Sequence, residues 1–302
     1  MYNFTIIIPH YNIPSLLERC LMSIPKRSDV QVIVVDDCSD NKSVSALKIL
    51  ETKFDSVMFI YRKENNGGGK CRNEGLKYAK GKWLLFADSD DFFSQNFSFL
   101  LDKHTDDDSD IVYFRVGCVE SCDITKISEK RDYNKNRIDY YQKKNDENVL
   151  RFLHSEPWGK LIKRDLVERY SISFSETIVC NDYYFSALTG FHAAKITADN
   201  TILYYLTVRE GSVSCKTETC EKIITRINVA TSVESYLLKH NYRLEDRYKA
   251  EKIDMRMITL LKKDMFLGIK QFFEIKKMGL SVLPIMGKML KTFFANLKGE
   301  IK

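Results

Sequence analysis

A chain of 302 residues with 44% hydrophobic and 29% charged residues has the material for one large α/β domain with an appendage, or for two small domains, and is neither disordered nor fibrous in composition. Its 8 cysteines form no CxxC pair and no zinc-like His/Cys spacing, which favours a reducing, cytoplasmic setting over a disulfide framework. Strand-like sequence from Phe4 leaves no room for a cleaved signal peptide, and the longest uncharged stretch near the C-terminus, Met278 to Gly287, is too short to span a bilayer, which takes about 20 residues.

Phe4 to Pro9, Val30 to Asp36, Val57 to Tyr61, Lys82 to Ala87 and Asp110 to Phe114 are short β-branched or aromatic runs bounded by turn residues, and each predicts a strand. Between them Leu16, Leu17, Cys20, Leu21 and Ile24 fall at helical spacing, as do Leu47, Leu50 and Phe54. This alternation implies right-handed βαβ units and a mostly parallel central sheet flanked by helices, an α/β fold of Rossmann-like type. Ser121 to Asn148 breaks the rhythm with many Lys, Asn, Asp and Tyr residues, and reads as a mobile or peripheral insertion.

Ligands of open α/β sheets bind outside the carboxyl ends of the strands, and polar clusters occur at these ends. Pro9-His10-Tyr11-Asn12 follows the first strand, Asp36 to Asp40 the second, and Asn65 to Asn73 the third. The fourth, apolar through Ala87, ends in Asp88-Ser89-Asp90-Asp91. An Asp-x-Asp at a strand end suits Mg²⁺ or Mn²⁺ together with substrate phosphates, although Asp and Ser are also ordinary turn residues. The glycine cluster has neither the GxGxxG nor the GxxxxGK[ST] order, which argues against a dehydrogenase and a P-loop NTPase. It reads equally as a helix-capping loop or a phosphate contact, with Lys70 and Arg72 within reach of a diphosphate.

Ile6 to Asn12, Val34 to Asp40, Asn66 to Gly75 and Gly81 to Asp91, taken in order, resemble the family 2 glycosyltransferases, inverting enzymes of the GT-A fold. The resemblance continues more weakly through Pro157-Trp158-Gly159-Lys160-Leu161 and Phe174-Ser175-Glu176 to Asn181-Asp182. That last pair usually reads Glu-Asp in the family, with its Asp as catalytic base; here Asn181 leaves Asp182 as the one carboxylate.

The resemblance implies a donor site in which Asp37 accepts a hydrogen bond from a uracil ring, Pro9 and Tyr11 line the base and ribose, and Asp88 lies near the ribose. It further implies that Asp90 holds Mn²⁺ or Mg²⁺ and that Asp182 deprotonates the acceptor hydroxyl, giving inversion in one displacement. Arg209, at the end of an apolar segment, is similarly placed to close over the diphosphate, against the plainer reading of a polar turn. Trp158 reads either as a core anchor or as a stacking surface for an acceptor sugar. The domain division that follows is 1–215 for the catalytic unit, with 1–118 as nucleotide-sugar half and 149–215 as acceptor and base half, then 216–302 as a basic, amphipathic helical region.

Residues 249–302 hold 12 Lys and Arg against 5 Asp and Glu, so the rest of the chain is close to neutral. Interleaved Met, Phe and Leu make this region a candidate for attachment to the inner face of the cell membrane, for pairing of two chains, or for packing on the catalytic unit. No nucleic-acid motif accompanies the charge. The expected activity is metal-dependent transfer of a sugar from a nucleotide diphosphate, UDP before GDP or dTDP, to a saccharide or lipid-linked saccharide in surface polysaccharide synthesis. The alternative is a silent nucleotide-sugar-binding partner subunit.

Overall fold

The computed structural model describes residues 2–128, 133–208 and 218–297. Strands β1 (Phe4–His10), β2 (Val30–Asp36), β3 (Val57–Tyr61) and β4 (Trp83–Phe86) run parallel in the order β3-β2-β1-β4. Helices α1 (Pro14–Met22), α2 (Asn41–Lys53) and α3 (Gly68–Leu76) connect them. All four residues of β4 are buried, as a strand covered on both faces requires. Along β1 the side chains alternate: Ile6 and Ile8 join one core cluster with Leu17, Leu21 and Leu85, while Ile7 joins another with Phe86, Phe174 and Phe185.

The chain continues through β5 (Phe92–Phe93), α4 (Phe97–His104), β6 (Ile111–Glu120), β7 (Asp123–Ile127), α5 (Tyr133–Lys144), a π-helical turn (Val149–Leu153), β8 (Lys160–Lys163), α6 (Arg164–Arg169), α7 (Tyr183–His192) and β9 (Ile196–Val208). These extend the sheet as β4-β8-β6-β9-β5, with β7 on β6. Strand β8 is antiparallel to β4 and β6, and β9 is parallel to β6. The sheet is therefore mostly parallel.

The first four strands lie where the sequence predicts them, within a residue at each end, whereas the fifth runs six residues past Phe114 to Glu120. The insertion, expected to be mobile or peripheral, forms regular elements over its described residues: β7 pairs with β6 off the main strand path, and α5 buries Ile138 in the core beside Phe86 and Tyr113. One inward aliphatic suffices to dock a helix whose other faces are polar, so the composition hides it.

Four helices follow, α8 (Cys220–Lys239), α9 (Ile253–Lys263), α10 (Met265–Lys277) and α11 (Leu283–Leu297). Thr219 caps α8 by accepting from the Lys222 amide, and Asp264 caps α10 by accepting from the Leu267 amide. Ile223, Ile227, Val233, Met257, Leu260 and Ile275 share a core with Val149, Phe152, Tyr183 and Ala187, so the inward faces pack on the α/β unit. Among the described residues no helix is long and apolar enough to cross a membrane, and all seven described cysteines are free thiols.

Candidate active site

The carboxyl ends of β1, β2, β3 and β4 meet on one rim. Buried His10 and Asp36 form its floor, Nδ1 to Oδ1 at 2.8 Å. The Ile13 amide donates to His10 Nε2, so the ring proton sits on Nδ1 and is donated to Asp36. Burial opposes charge on Asp36, yet hydrogen bonds from His10 and Ser39 outweigh it and hold the carboxyl below the usual range. Asn12 and Asp40 tie the first two loops together through a 2.8 Å amide-to-side-chain bond. Tyr11 projects from this rim half-exposed, and Pro9 lies beside Gly68 at the start of α3.

Asp37 is buried and binds the glycine loop. Its Oδ1 accepts from Arg62 and from the Asn66 amide, and its Oδ2 accepts from the Gly67 amide at 2.6 Å. Gly67 adopts φ +88°, and a Cβ on Gly69 would meet Ser175 O at 2.2 Å and Asn181 Cβ at 2.9 Å. The glycines thus let α3 lie against the segment that carries Asn181 and Asp182. Asn73 clips the same contact, donating to Phe174 O and accepting from the Phe174 amide. Lys70 pairs at the surface with Glu176 at 2.6 Å.

Arg72 is buried between the two halves of the site, its guanidinium 5.4 Å from the centre of the Phe174 ring. One nitrogen donates to Asp88 at 2.6 Å and another to Asn181 Oδ1 at 2.9 Å. Its Nε is buried with no hydrogen-bond partner.

The Asp88–Asp91 turn is held from below. The Asp88 amide donates to the Tyr204 hydroxyl, which donates in turn to Asp91 Oδ2 at 3.0 Å. Asp91 Oδ1 accepts from the Thr207 amide at 2.7 Å, while the Asp90 carbonyl accepts from Arg19 and the Thr207 hydroxyl. Burial, and then the charges of Asp90 and Asp88, push the Asp91 carboxyl well above its ordinary range. Trp158 is buried and stacks on Tyr204 with ring centres 5.9 Å apart. It therefore anchors the wall behind the turn and offers no face to an acceptor sugar.

Asp182 opens α7, partly buried, with no side-chain capping hydrogen bond. Cys180, two residues earlier, has φ +59°, a left-handed conformation that costs about 1 kcal/mol for a residue with a Cβ. Burial raises the Asp182 carboxyl to about 6, with Arg72 opposing and Glu156 and Asp88 adding to the rise. Lys160 lies fully buried nearby, donating to His154 O at 2.6 Å, and burial lowers its ammonium to about 7. Arg209 lies outside the described residues.

Among the described residues no three His, Cys, Asp or Glu side chains form a metal cage. Two carboxylates within three positions, Asp88 and Asp90, beside an Asp91 whose protonation their charge favours, fit a divalent cation that completes its shell with phosphate oxygens. Sequence reasoning missed Arg62, Tyr204, Asp91 and Lys160. Asp91 carried a signal as the last carboxylate of its cluster, and Lys160 stood in the Pro157–Leu161 stretch without a role of its own.

The strand order and this rim define a GT-A fold. Residues 5–171 match Glycosyl transferase family 2, and the chain belongs to that family. It is 30% identical over 221 residues to a poly(ribitol-phosphate) beta-glucosyltransferase of Bacillus spizizenii, covering 68% of this chain and 32% of that protein. It is 25% identical over 223 residues to the poly(ribitol-phosphate) beta-N-acetylglucosaminyltransferase TarS of Staphylococcus aureus, covering 70% and 36%. The chain thus spans about a third of the length of these relatives. The crystal structure of TarS 1-349 in complex with UDP-GlcNAc superposes with a TM-score of 0.63 at 24% identity, over 98% of this chain and 81% of that one. The mannosyltransferase PcManGT of Pyrobaculum calidifontis, in complex with GDP-Man and Mn²⁺, gives 0.54 at 18% identity, over 98% and 80%.

Proposed function

We propose that this chain is an inverting glycosyltransferase that moves a sugar from a UDP-sugar to a hydroxyl of a cell-surface polymer, a polyol phosphate or a saccharide, on the cytoplasmic side of the membrane. The observation that carries this reading is Arg72, which joins Asp88 of the donor turn to the residue beside Asp182. Pro9 and Tyr11 line the base and ribose, and Asp37, with one described bond on Oδ2, accepts from the uracil N–H. The two relatives that act on poly(ribitol-phosphate) are named for β-linked products, the outcome of inversion at an α-linked donor.

Asp88 and Asp90 would hold Mn²⁺ or Mg²⁺, which supplies Lewis-acid neutralisation of the departing diphosphate. Asp182 accepts the proton of the attacking hydroxyl. A carboxyl at about 6 is ionised at neutral pH and a stronger base than an ordinary aspartate. Asn181 engages Arg72 and leaves Asp182 in place, which favours the enzyme over a silent partner subunit.

Calorimetric titration of UDP, GDP and dTDP with Mn²⁺ and with chelator, on the native chain and on Asp90→Ala, tests the donor site. Metal-dependent binding of UDP, lost in Asp90→Ala, is expected. Failure of every nucleotide to bind overturns the reading.

A further inference from the structure

The inward face of α10 buries Gly268, Gln271 and Ile275, and its outward face is unpartnered. Met265, Phe266, Ile269 and Phe273 fall on one arc about 100° wide and are all exposed, Phe266 to 77% and Phe273 to 63%. Helix α11 repeats the pattern with Leu283, Met286 and Leu290 exposed at i, i+3 and i+7. Two consecutive helices that each carry an exposed apolar stripe are not the scattered single hydrophobics of an ordinary surface.

The exposed charge carried by α10, α11 and the end of α9 is basic. Lys262, Lys263, Lys270, Lys276, Lys277 and Lys291 are exposed, whereas Glu274 is partly buried and paired with Lys277, and Asp264 is occupied as the cap of α10. Two copies meeting through this face would set Lys against Lys, a juxtaposition that opposes association. An anionic bilayer complements both features: the apolar stripe enters the headgroup boundary and the flexible Lys stems carry their ammonium groups to lipid phosphates. We infer that α10 and α11 form a membrane-interface surface specific for anionic lipid.

Vesicle flotation of the full chain tests this, using phosphatidylcholine alone and phosphatidylcholine mixed with phosphatidylglycerol. Binding to the mixed vesicles only, weakened by salt, is expected. Phe266→Ser with Phe273→Ser should abolish it. The triple variant Lys262→Gln, Lys263→Gln, Lys270→Gln, which leaves the apolar stripe intact, should weaken it roughly 100-fold, the equivalent of about 1 kcal/mol per Lys. Circular dichroism melting and UDP titration on the same variants report folding and the donor site separately. Absence of binding to the mixed vesicles overturns the inference, as does binding indifferent to both sets of substitutions. A concentration-dependent dimer that the Phe substitutions dissociate, without lipid binding, assigns the face to a second copy instead.

Discussion

Arg72 donates to the Asn181 amide oxygen at 2.9 Å, where the family pattern has a carboxylate. Among the described residues Arg72 pairs with the Asp88 carboxylate, and its charge also acts on Asp182. In Asn181→Asp the new charge both competes for Arg72 and repels Asp182, so the base should titrate higher. The acid limb of kcat/KM against pH is expected near 6 in the native chain and about one unit higher in the variant. An unmoved limb would separate Asn181 from the base.

Arg72→Lys keeps the charge and loses the fork, since one ammonium cannot span Asp88 and Asn181 in the same geometry. Loss of a hydrogen bond to a charged partner costs about 1.5–3 kcal/mol, so kcat/KM should fall by roughly 10- to 200-fold. Steady-state kinetics with varied UDP-sugar checks this; native kinetics in Arg72→Lys would remove Arg72 from the site.

Asp182→Asn should lower kcat by about 10²–10⁴-fold while leaving UDP affinity within a few-fold. Its effect on stability has the opposite sign. The carboxyl titrates at about 6 in the folded chain against an ordinary 3.8. Between these values the folded state keeps a proton that the unfolded state has lost, so stability declines as pH rises through this window and stays reduced above it. Asn carries no such penalty. At neutral pH the variant should be more stable by up to about 3 kcal/mol, a gain that closes below about pH 4. Urea denaturation at the two pH values measures both limbs.

Tyr204→Phe removes the hydroxyl that links the Asp88 amide to Asp91. The unmet buried groups should cost about 1–3 kcal/mol of stability. Because the turn carrying Asp88 and Asp90 loosens, the Mn²⁺ concentration needed for half-maximal UDP binding should rise more than metal-free UDP affinity falls.

Gly69→Ala sets a methyl 2.2 Å from the Ser175 carbonyl. Overpacking of this kind costs about 1–3 kcal/mol. Here it also pushes α3 away from the segment before Asp182, so kcat should fall more than the melting temperature predicts.

The parallel half of the sheet was legible because β1, β2 and β4 are largely apolar runs and each ends in a polar cluster. Strand β8 was not, since four residues with Lys at both ends carry no strand signal; pairing between β4 and β6 makes it one. The Asp88–Asp91 cluster stood out by residue type and by its place at a strand end, whereas the role expected of Asp182 came from the family resemblance. The neighbours that hold the rim's carboxylates were not legible: Tyr204 sits in an apolar strand and Arg62 in a turn, and only folding brings either to a carboxylate. Trp158 shows the limit of residue type alone, because core anchor and sugar platform have the same sequence and burial decides between them.

Tyr183 follows Asp182 directly, yet its ring lies in the cluster built by α8, α9 and α10. The carboxylate thus stands at the seam between the α/β layer and the terminal helices, one peptide bond from each. Cutting the chain after the sheet would strip the backing from the helix that Asp182 opens, and under the proposed mechanism the stump would keep the rim of β1–β4 while losing the geometry of proton abstraction. If Asp182 is the base proposed above, the terminal helices are the rear wall of the reaction chamber.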